Sequence, residues 1–315
     1  MFKNLYFANI FLVFIVYTGN SYSLEFSADE QKFSRQYLSS AIDSSNPNKV
    51  LVAILIASQL AQPDLLDKLY TQGSELGVDN ILWLDQSIKK CLFSDQNMIC
   101  DPSTSINNLK KLDQDNGLSY VYSAIYHARK NDILRAYKEL NRAAKKKNYD
   151  DFYWKKFSTL LETLIKTGYP KKHLYTASVK YSHNMVTQPY QELMKLCNKQ
   201  AKSSLEWKNS CIKVGELLEQ KGTIFFANMV GFALQREALS IEKKDADRLA
   251  RVKEGRELLN QWRIDAVKKL DFIEAQKKGP ESYYIDLVKL GERKAIENAL
   301  AAHNVSNEEH NQAKQ

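Results

Sequence analysis

The sequence predicts an all-α fold of stacked antiparallel helical hairpins. Glycine and proline are scarce, at 11 and 6 of 315 residues, whereas a fold of many β-strands needs turn residues often. Good helix formers such as Lys, Leu, Ala, Glu and Gln are abundant instead. Apolar residues recur at three- and four-residue steps, as at Leu249, Val252, Leu259, Trp262 and Ala266. The helices are expected to stack as an α/α solenoid or to pack as an irregular helical bundle.

Residues 1–23 have the layout of a secretory signal peptide. Lys3 precedes an apolar run over 5–17, and Ser21 and Ser23 occupy the small-residue positions before the expected cut. The run is shorter than the ~20 apolar residues that a membrane span needs. An uncleaved N-terminal anchor is the alternative. We therefore expect an exported protein, periplasmic or secreted, with no transmembrane span after signal cleavage.

Capping and breaking residues set the predicted helix bounds. Ser27 and Glu30 form a capping box that starts the first helix, over 27–43. The second helix, over 48–61, is apolar nearly all round and is therefore predicted to be buried. The later helices are predicted over 63–77, 79–91, 102–113, a hairpin at 117–147, 150–167, 171–199 with a break near Pro189, 203–221, 223–240, 244–276 and 281–302.

A boundary is predicted where Gly168 and Pro170 stop a helix. It divides the mature chain into an N-terminal helical-repeat half, 24–168, and a C-terminal helical half, 169–302. The last residues, 303–315, are polar and are expected to form a disordered tail.

Four cysteines follow the signal segment: Cys91, Cys100, Cys197 and Cys211. Their spacings of nine and fourteen match neither the tight pairs of zinc sites nor a C-x-x-C redox motif. Disulfides persist in exported proteins, and proximity favours pairing the first two and the last two among the three connectivities. Four buried free thiols are the alternative for a cytosolic protein. Neither a metal nor a cofactor is predicted.

Residues 117–147 resemble a tetratricopeptide (TPR) repeat, whose pattern is W-x₂-L-G-x₂-Y, then A-x₃-F, then P. The matching positions are Tyr120 for the Trp, Ala124 for the Gly, His127 for the Tyr, and Ala136 and Leu140 in the second helix. Ser123 replaces the Leu and Asn148 the closing Pro. The resemblance implies a helical solenoid with a concave face that binds a protein or peptide.

We therefore predict a non-enzymatic binding or scaffold protein with a protein or peptide partner. Tyr120 and His127 are the expected contact residues, because the repeat pattern places them on the inner face. No GxSxG, HExxH, P-loop or GxGxxG motif is present, and no catalytic residue is predicted. The alternative is an enzyme on a helical scaffold that acts on cell wall or glycan through an unidentified carboxylate.

Positive charge is concentrated in residues 145–180, which hold nine lysines and three acids in a chain of formal net charge +8. Lys145, Lys146 and Lys147 are candidate contacts to an anionic surface, such as an acidic glycan or lipid headgroups. Alternatively, they complement the negative end of a helix dipole. Export argues against nucleic acid as the partner.

Residues 222–239 form the most apolar stretch of the C-terminal half. Insertion into a membrane or capture of a partner helix are two interpretations of this stretch. The preferred one is a central core helix, in which Gly231 permits close approach of another helix and Asn228 finds a buried hydrogen-bond partner.

Overall fold

The computed structural model describes residues 27–60, 62–77, 79–93, 100–169, 174, 177–178, 181, 188–275 and 281–302. Within these ranges the regular structure is helical and no β-sheet forms, so the predicted all-α class is confirmed. The predicted signal segment 1–23 and the predicted tail 303–315 lie outside the described residues. The division of the chain at residue 168 stays a prediction.

The described residues form fourteen α-helices and one 3₁₀ turn at Lys243–Asp245. The helices are α1 (Ala28–Ala41), α2 (Pro47–Gln59), α3 (Pro63–Leu76), α4 (Ile81–Phe93), α5 (Ser103–Leu112), α6 (Leu118–Arg129), α7 (Ile133–Ala143), α8 (Tyr153–Lys166), α9 (Gln188–Gln200), α10 (Leu205–Lys221), α11 (Phe225–Leu239), α12 (Ala246–Ala275), α13 (Glu281–Leu290) and α14 (Glu292–Ala302).

The capping box predicted for the first helix is present, and the second helix also begins at a cap residue. The Ser27 amide donates to the Glu30 carboxylate at 2.7 Å, and the Glu30 amide donates to the Ser27 hydroxyl at 3.3 Å, which completes the capping box. Asn46 caps α2 by accepting hydrogen bonds from two backbone amides of its first turn. Every residue over 50–57 is buried, so the prediction of a buried helix is confirmed.

Three details of the helix prediction are wrong. The predicted helix over 281–302 is two helices, because Gly291 adopts a φ of +82° in the left-handed region that glycine reaches at little cost. Cys91 lies inside α4, which continues to Phe93. The apolar pattern of the predicted helix 150–167 places Ile165 on its inward face, but the exposed fraction of Ile165 is 56%.

Two disulfides tie neighbouring helices together. Cys91 on α4 joins Cys100 just before α5, and Cys197 on α9 joins Cys211 on α10, with Sγ–Sγ distances of 2.07 and 2.12 Å. These are the two pairs that sequence proximity favours. Each bond closes a short loop and thereby restricts the unfolded chain.

The segment 117–147 forms the predicted hairpin of α6 and α7. Asn131, with a φ of +58°, makes the tight turn between the two helices, which are therefore antiparallel. Val121, Tyr122 and Ile125 on α6 are buried, as is Leu140 on α7. The structure therefore contains this antiparallel hairpin among its packed helices.

The C-terminal helices α9, α10 and α11 are joined by short turns over 201–204 and 222–224. Turns this short make consecutive helices antiparallel, so α9 and α11 run in the same direction, and they contact each other through Tyr190 and Phe226. Gly215 on α10 faces Gly231 on α11, and Asn228 donates to backbone carbonyls at the end of α10. Both expectations for 222–239 as a core helix are therefore confirmed.

One continuous apolar core reaches from α1 to α11, and a smaller one holds the C-terminal helices. The smaller core is built from Phe225, Ala266 and Ile296. Among the described helices, none combines the length and apolar character that a bilayer crossing requires.

Candidate functional site

A groove of about 840 Å³ lies between α9 and α11. Its walls are stripes at three- and four-residue steps along the two helices. The lining residues are Tyr190, Gln191, Met194, Cys197, Asn198, Ala201 and Lys202 on the α9 side, and Phe226, Val230, Ala233, Leu234, Arg236, Glu237, Ala238, Ser240 and Ile241 on the α11 side. We call this feature the α9–α11 groove.

The interior of the groove is apolar and its rim is polar. Val230 and Ala233 are nearly buried, and Ile241 at one end is 38% exposed. Arg236 lies on the rim and its guanidinium contacts the Glu237 carboxylate at 2.7 Å. An apolar interior with a few polar groups around it is the usual composition of a protein ligand site.

Tyr190 connects the groove to a set of buried polar residues beneath it. Its ring lines one end of the groove and packs edge-on against Phe226, with ring centroids 5.3 Å apart. Its hydroxyl points away from the groove and donates to the Asp151 carboxylate at 2.8 Å. The position of this wall residue therefore depends on a hydrogen bond inside the core.

The buried polar residues include four charged groups, Asp85, Lys89, Asp151 and Lys156, which we call the ion cluster. Asp85 and Lys156 have no exposed side-chain surface, and the Lys156 ammonium lies 2.5 Å from the Asp85 carboxylate. Lys89, one turn further along α4, contacts the same carboxylate at 3.0 Å. Tyr122 donates to the other carboxylate oxygen at 2.5 Å. One carboxylate thus binds two ammonium groups and a phenol.

Burial and pairing have opposite effects on the pKa values of these groups. Burial lowers the pKa of Lys156 to about 8, although Asp85 partly opposes this effect. Burial alone would raise the pKa of Asp85, but Lys156 and Lys89 more than offset it and hold that pKa below its usual value. We conclude that Asp85 stays ionised at neutral pH and anchors the cluster.

Asp151 is the second acid of the ion cluster and is 5% exposed. Besides Tyr190, its carboxylate accepts from the Tyr153 amide at 3.1 Å and from the Thr223 hydroxyl at 3.5 Å. Burial, reinforced by the adjacent Asp150, raises its pKa to about 6, although Lys89 opposes the shift. The ionised form of Asp151 therefore costs free energy at neutral pH.

We expect Asp151→Asn to change the pH dependence of stability. The folded state binds the Asp151 proton more tightly than the unfolded state, so this group stabilises the fold as pH falls through about 6. The stability of the variant relative to wild type should therefore rise by about 2 kcal/mol between pH 4 and pH 7.5. Urea unfolding across this range measures the difference. The exposed Asp79→Asn control should show no such trend, and a flat difference for Asp151→Asn would contradict the assignment.

The predicted contact residues Tyr120 and His127 lie on α6, outside the lining of the groove. Tyr120 is half-buried, with the Lys146 ammonium 4.1 Å and the Lys110 ammonium 4.9 Å from its ring centroid. His127 is also half-buried, 3.9 Å from the Asp132 carboxylate, and burial lowers its pKa. The structure brings Tyr120 together with Lys146 but not with His127.

The three lysines at 145–147 follow the end of α7 and lie beside the loop before α6. Lys146 donates to the Gln114 carbonyl at 2.7 Å, and Lys147 lies 3.0 Å from the Asp115 carboxylate. Lys145 is exposed. Further along the basic segment, Lys156 is buried in the ion cluster. Several of these lysines therefore interact within the chain, which weakens the hypothesis of one continuous anion-binding surface.

Sequence reasoning missed the ion cluster, although a signal was present. Lys156 lies on the apolar stripe of α8, in phase with Tyr153, Phe157 and Leu160. Asp85 and Lys89 lie one turn apart on the buried face of α4. Charged residues in phase with an apolar stripe indicate buried pairs.

Among the described residues, no three His, Cys, Asp or Glu side chains come together as a metal site would require. Comparison of the chain with protein-family models, curated proteins and solved structures finds no match.

Proposed function

We propose that this chain is an exported, non-enzymatic binding protein that holds a protein partner in the α9–α11 groove. The observation that carries the proposal is the groove itself, whose apolar interior and polar rim extend along two helices. In this proposal the packed hairpins are a TPR-like scaffold, and α9 and α11 are the inner helices of two successive units. Tyr120 and His127 stay predicted contacts of a neighbouring unit.

Export is supported by two independent features of the chain. The first is the signal-peptide layout of residues 1–23. The second is the presence of two disulfides, which persist in oxidising compartments and are rare in the cytosol of most organisms.

A binding role rather than catalysis is supported by the burial of the ion cluster. The perturbed acids and bases are the groups that would suggest acid–base chemistry. Asp85 and Lys156, however, have no surface accessible to a substrate. Tyr190, which separates Asp151 from the groove, is itself 1% exposed. The ion cluster is therefore better suited to hold the helices in place than to react.

Site-specific photocrosslinking in cells tests this function. A benzophenone amino acid at Met194 or Ile241, which line the groove, should give the same protein adduct in the exported fraction. Leu134 and Leu258 are both 64% exposed and lie off the groove, so they serve as matched controls. Adducts that form equally from the control positions, or no adduct from either groove position, would refute the proposal.

A further inference from the structure

Because α9 and α11 run in the same direction, the groove between them has an N-terminal end and a C-terminal end. Tyr190 and Phe226 lie near the starts of α9 and α11, whereas Lys202 and Ile241 lie just beyond their ends. The C-terminal ends of both helices therefore converge at one end of the groove. Each such end carries a partial negative charge, which hydrogen bonds from Ser203 and Ser240 and the adjacent N-terminal end of α10 at Leu205 partly offset.

The length and spacing of the walls match a helix. The α9 stripe from Tyr190 to Ala201 rises about 17 Å, which is about three turns of α-helix. Most apolar members of the two stripes are already buried in the core, so the apolar surface open to a third helix is chiefly that of Met194 and Ile241. The polar side chains of the rim flank this surface along both helices, as ridges flank a groove in helix packing. An amphipathic helix that lays its apolar face between them is an established mode of peptide recognition.

The charged lining residues all lie toward the C-terminal end of the groove. They are Lys202, Arg236 and Glu237, which leave one net positive charge because Glu237 pairs with Arg236. Arg256 on α12 lies near Arg236. Burial lowers the pKa of Arg256, and the like charge of Arg236 lowers it further. The opposite end holds the aromatic rings of Tyr190 and Phe226. A partner of complementary charge therefore carries acidic residues only at the end that lies beside Lys202 and Arg236.

We propose that the partner segment is an amphipathic helix that lies antiparallel to α9 and α11, with acidic residues in its first turn beside Lys202 and Arg236. This inference rests on the proposed function and specifies the chemistry of the partner. The antiparallel direction places the positive N-terminal end of the partner helix against the negative ends of both wall helices. Acidic residues are favourable in the first turn of any helix, so the same carboxylates stabilise the partner helix and pair with the rim.

Synthetic peptides test the inference on the full mature chain. The probe is a 15-residue amphipathic peptide with leucines at three- and four-residue steps and two glutamates in its first turn. The matched peptide has glutamine at those two positions. By fluorescence anisotropy at low salt, the acidic peptide should bind about threefold to tenfold more tightly. Lys202→Glu should remove most of that preference, whereas Lys213→Glu, an exposed charge reversal on α10, should leave it intact.

Crosslinking from the two ends of the peptide measures the direction in which it lies in the groove. A photoreactive group at the N-terminus of the peptide should crosslink near residues 236–241, and one at its C-terminus near 190–194. The reverse pattern, or equal affinity of the two peptides, overturns the inference. Failure of both peptides to bind also overturns it. Crosslinks from Met194 and Ile241 in cells would then still support a protein partner in the groove, so the two proposals fail separately.

Discussion

Replacing Asp85 with alanine is expected to cost about 3–5 kcal/mol of folding free energy. The change leaves the ammonium groups of Lys89 and Lys156 without the carboxylate that both contact, and Lys156 has no exposed surface on which to recover its hydration. The hydroxyl of Tyr122 loses its acceptor as well. Lys156 keeps only a neutral partner, the Gln86 carbonyl at 2.9 Å. A buried charge that loses its counterion is among the few causes of such large effects from single substitutions.

The substitution Lys156→Met should cost much less, although it breaks the same ion pair. Asp85 keeps Lys89 and Tyr122 as partners, and methionine fills a similar volume without a charge to desolvate. The double variant Asp85→Ala/Lys156→Met should therefore be more stable than Asp85→Ala alone. Urea unfolding of the three variants, analysed as a double-mutant cycle, measures the coupling. Equal costs for the two single changes would contradict the arrangement in which one carboxylate serves two cations.

The local structure of the chain was largely predictable, because caps and breakers act within a few residues. Ser27 and Glu30 predicted the start of α1, and the cysteine spacing favoured the disulfide partners that the structure shows. Asn228 and Gly231 identified a helix that another helix approaches closely. These predictions needed residue chemistry and short spacings only.

Features that depend on tertiary packing were not predictable in the same way. The α9–α11 groove joins residues near 190 with residues near 230, and no spacing in the sequence indicates that these two predicted helices leave a groove between them. The burial of Lys156 was missed because its neighbours made the segment appear uniformly basic. Gly291 was missed because one glycine inside a helical pattern does not by itself end a helix.

The substitution Gly231→Ala is expected to destabilise the protein by about 2–3 kcal/mol. An added Cβ would lie 2.5 Å from the Glu219 amide nitrogen and 2.5 Å from the Gly215 carbonyl oxygen. Both atoms belong to the backbone of α10, so the two helices must separate to make room. The gain in helix propensity, about 1 kcal/mol, offsets only part of this cost. Urea unfolding against wild type measures the loss.

The matched control is Gly255→Ala, in the middle of α12. Its added Cβ would lie 3.1 Å from the edge of the Phe232 ring, a side chain that can shift. The gain in helix propensity should therefore leave this variant within about 1 kcal/mol of wild type.

Gly231 also has a consequence for binding, because its neighbours Val230, Ala233 and Leu234 form one wall of the groove. Moving α11 away from α10 displaces that wall relative to α9, which the Cys197–Cys211 bond holds to α10. The Gly231→Ala protein should therefore lose the groove crosslinks under conditions where it is still folded, and the Gly255→Ala protein should retain them. Equal stability of the two variants would show that α10 and α11 do not pack through their glycines.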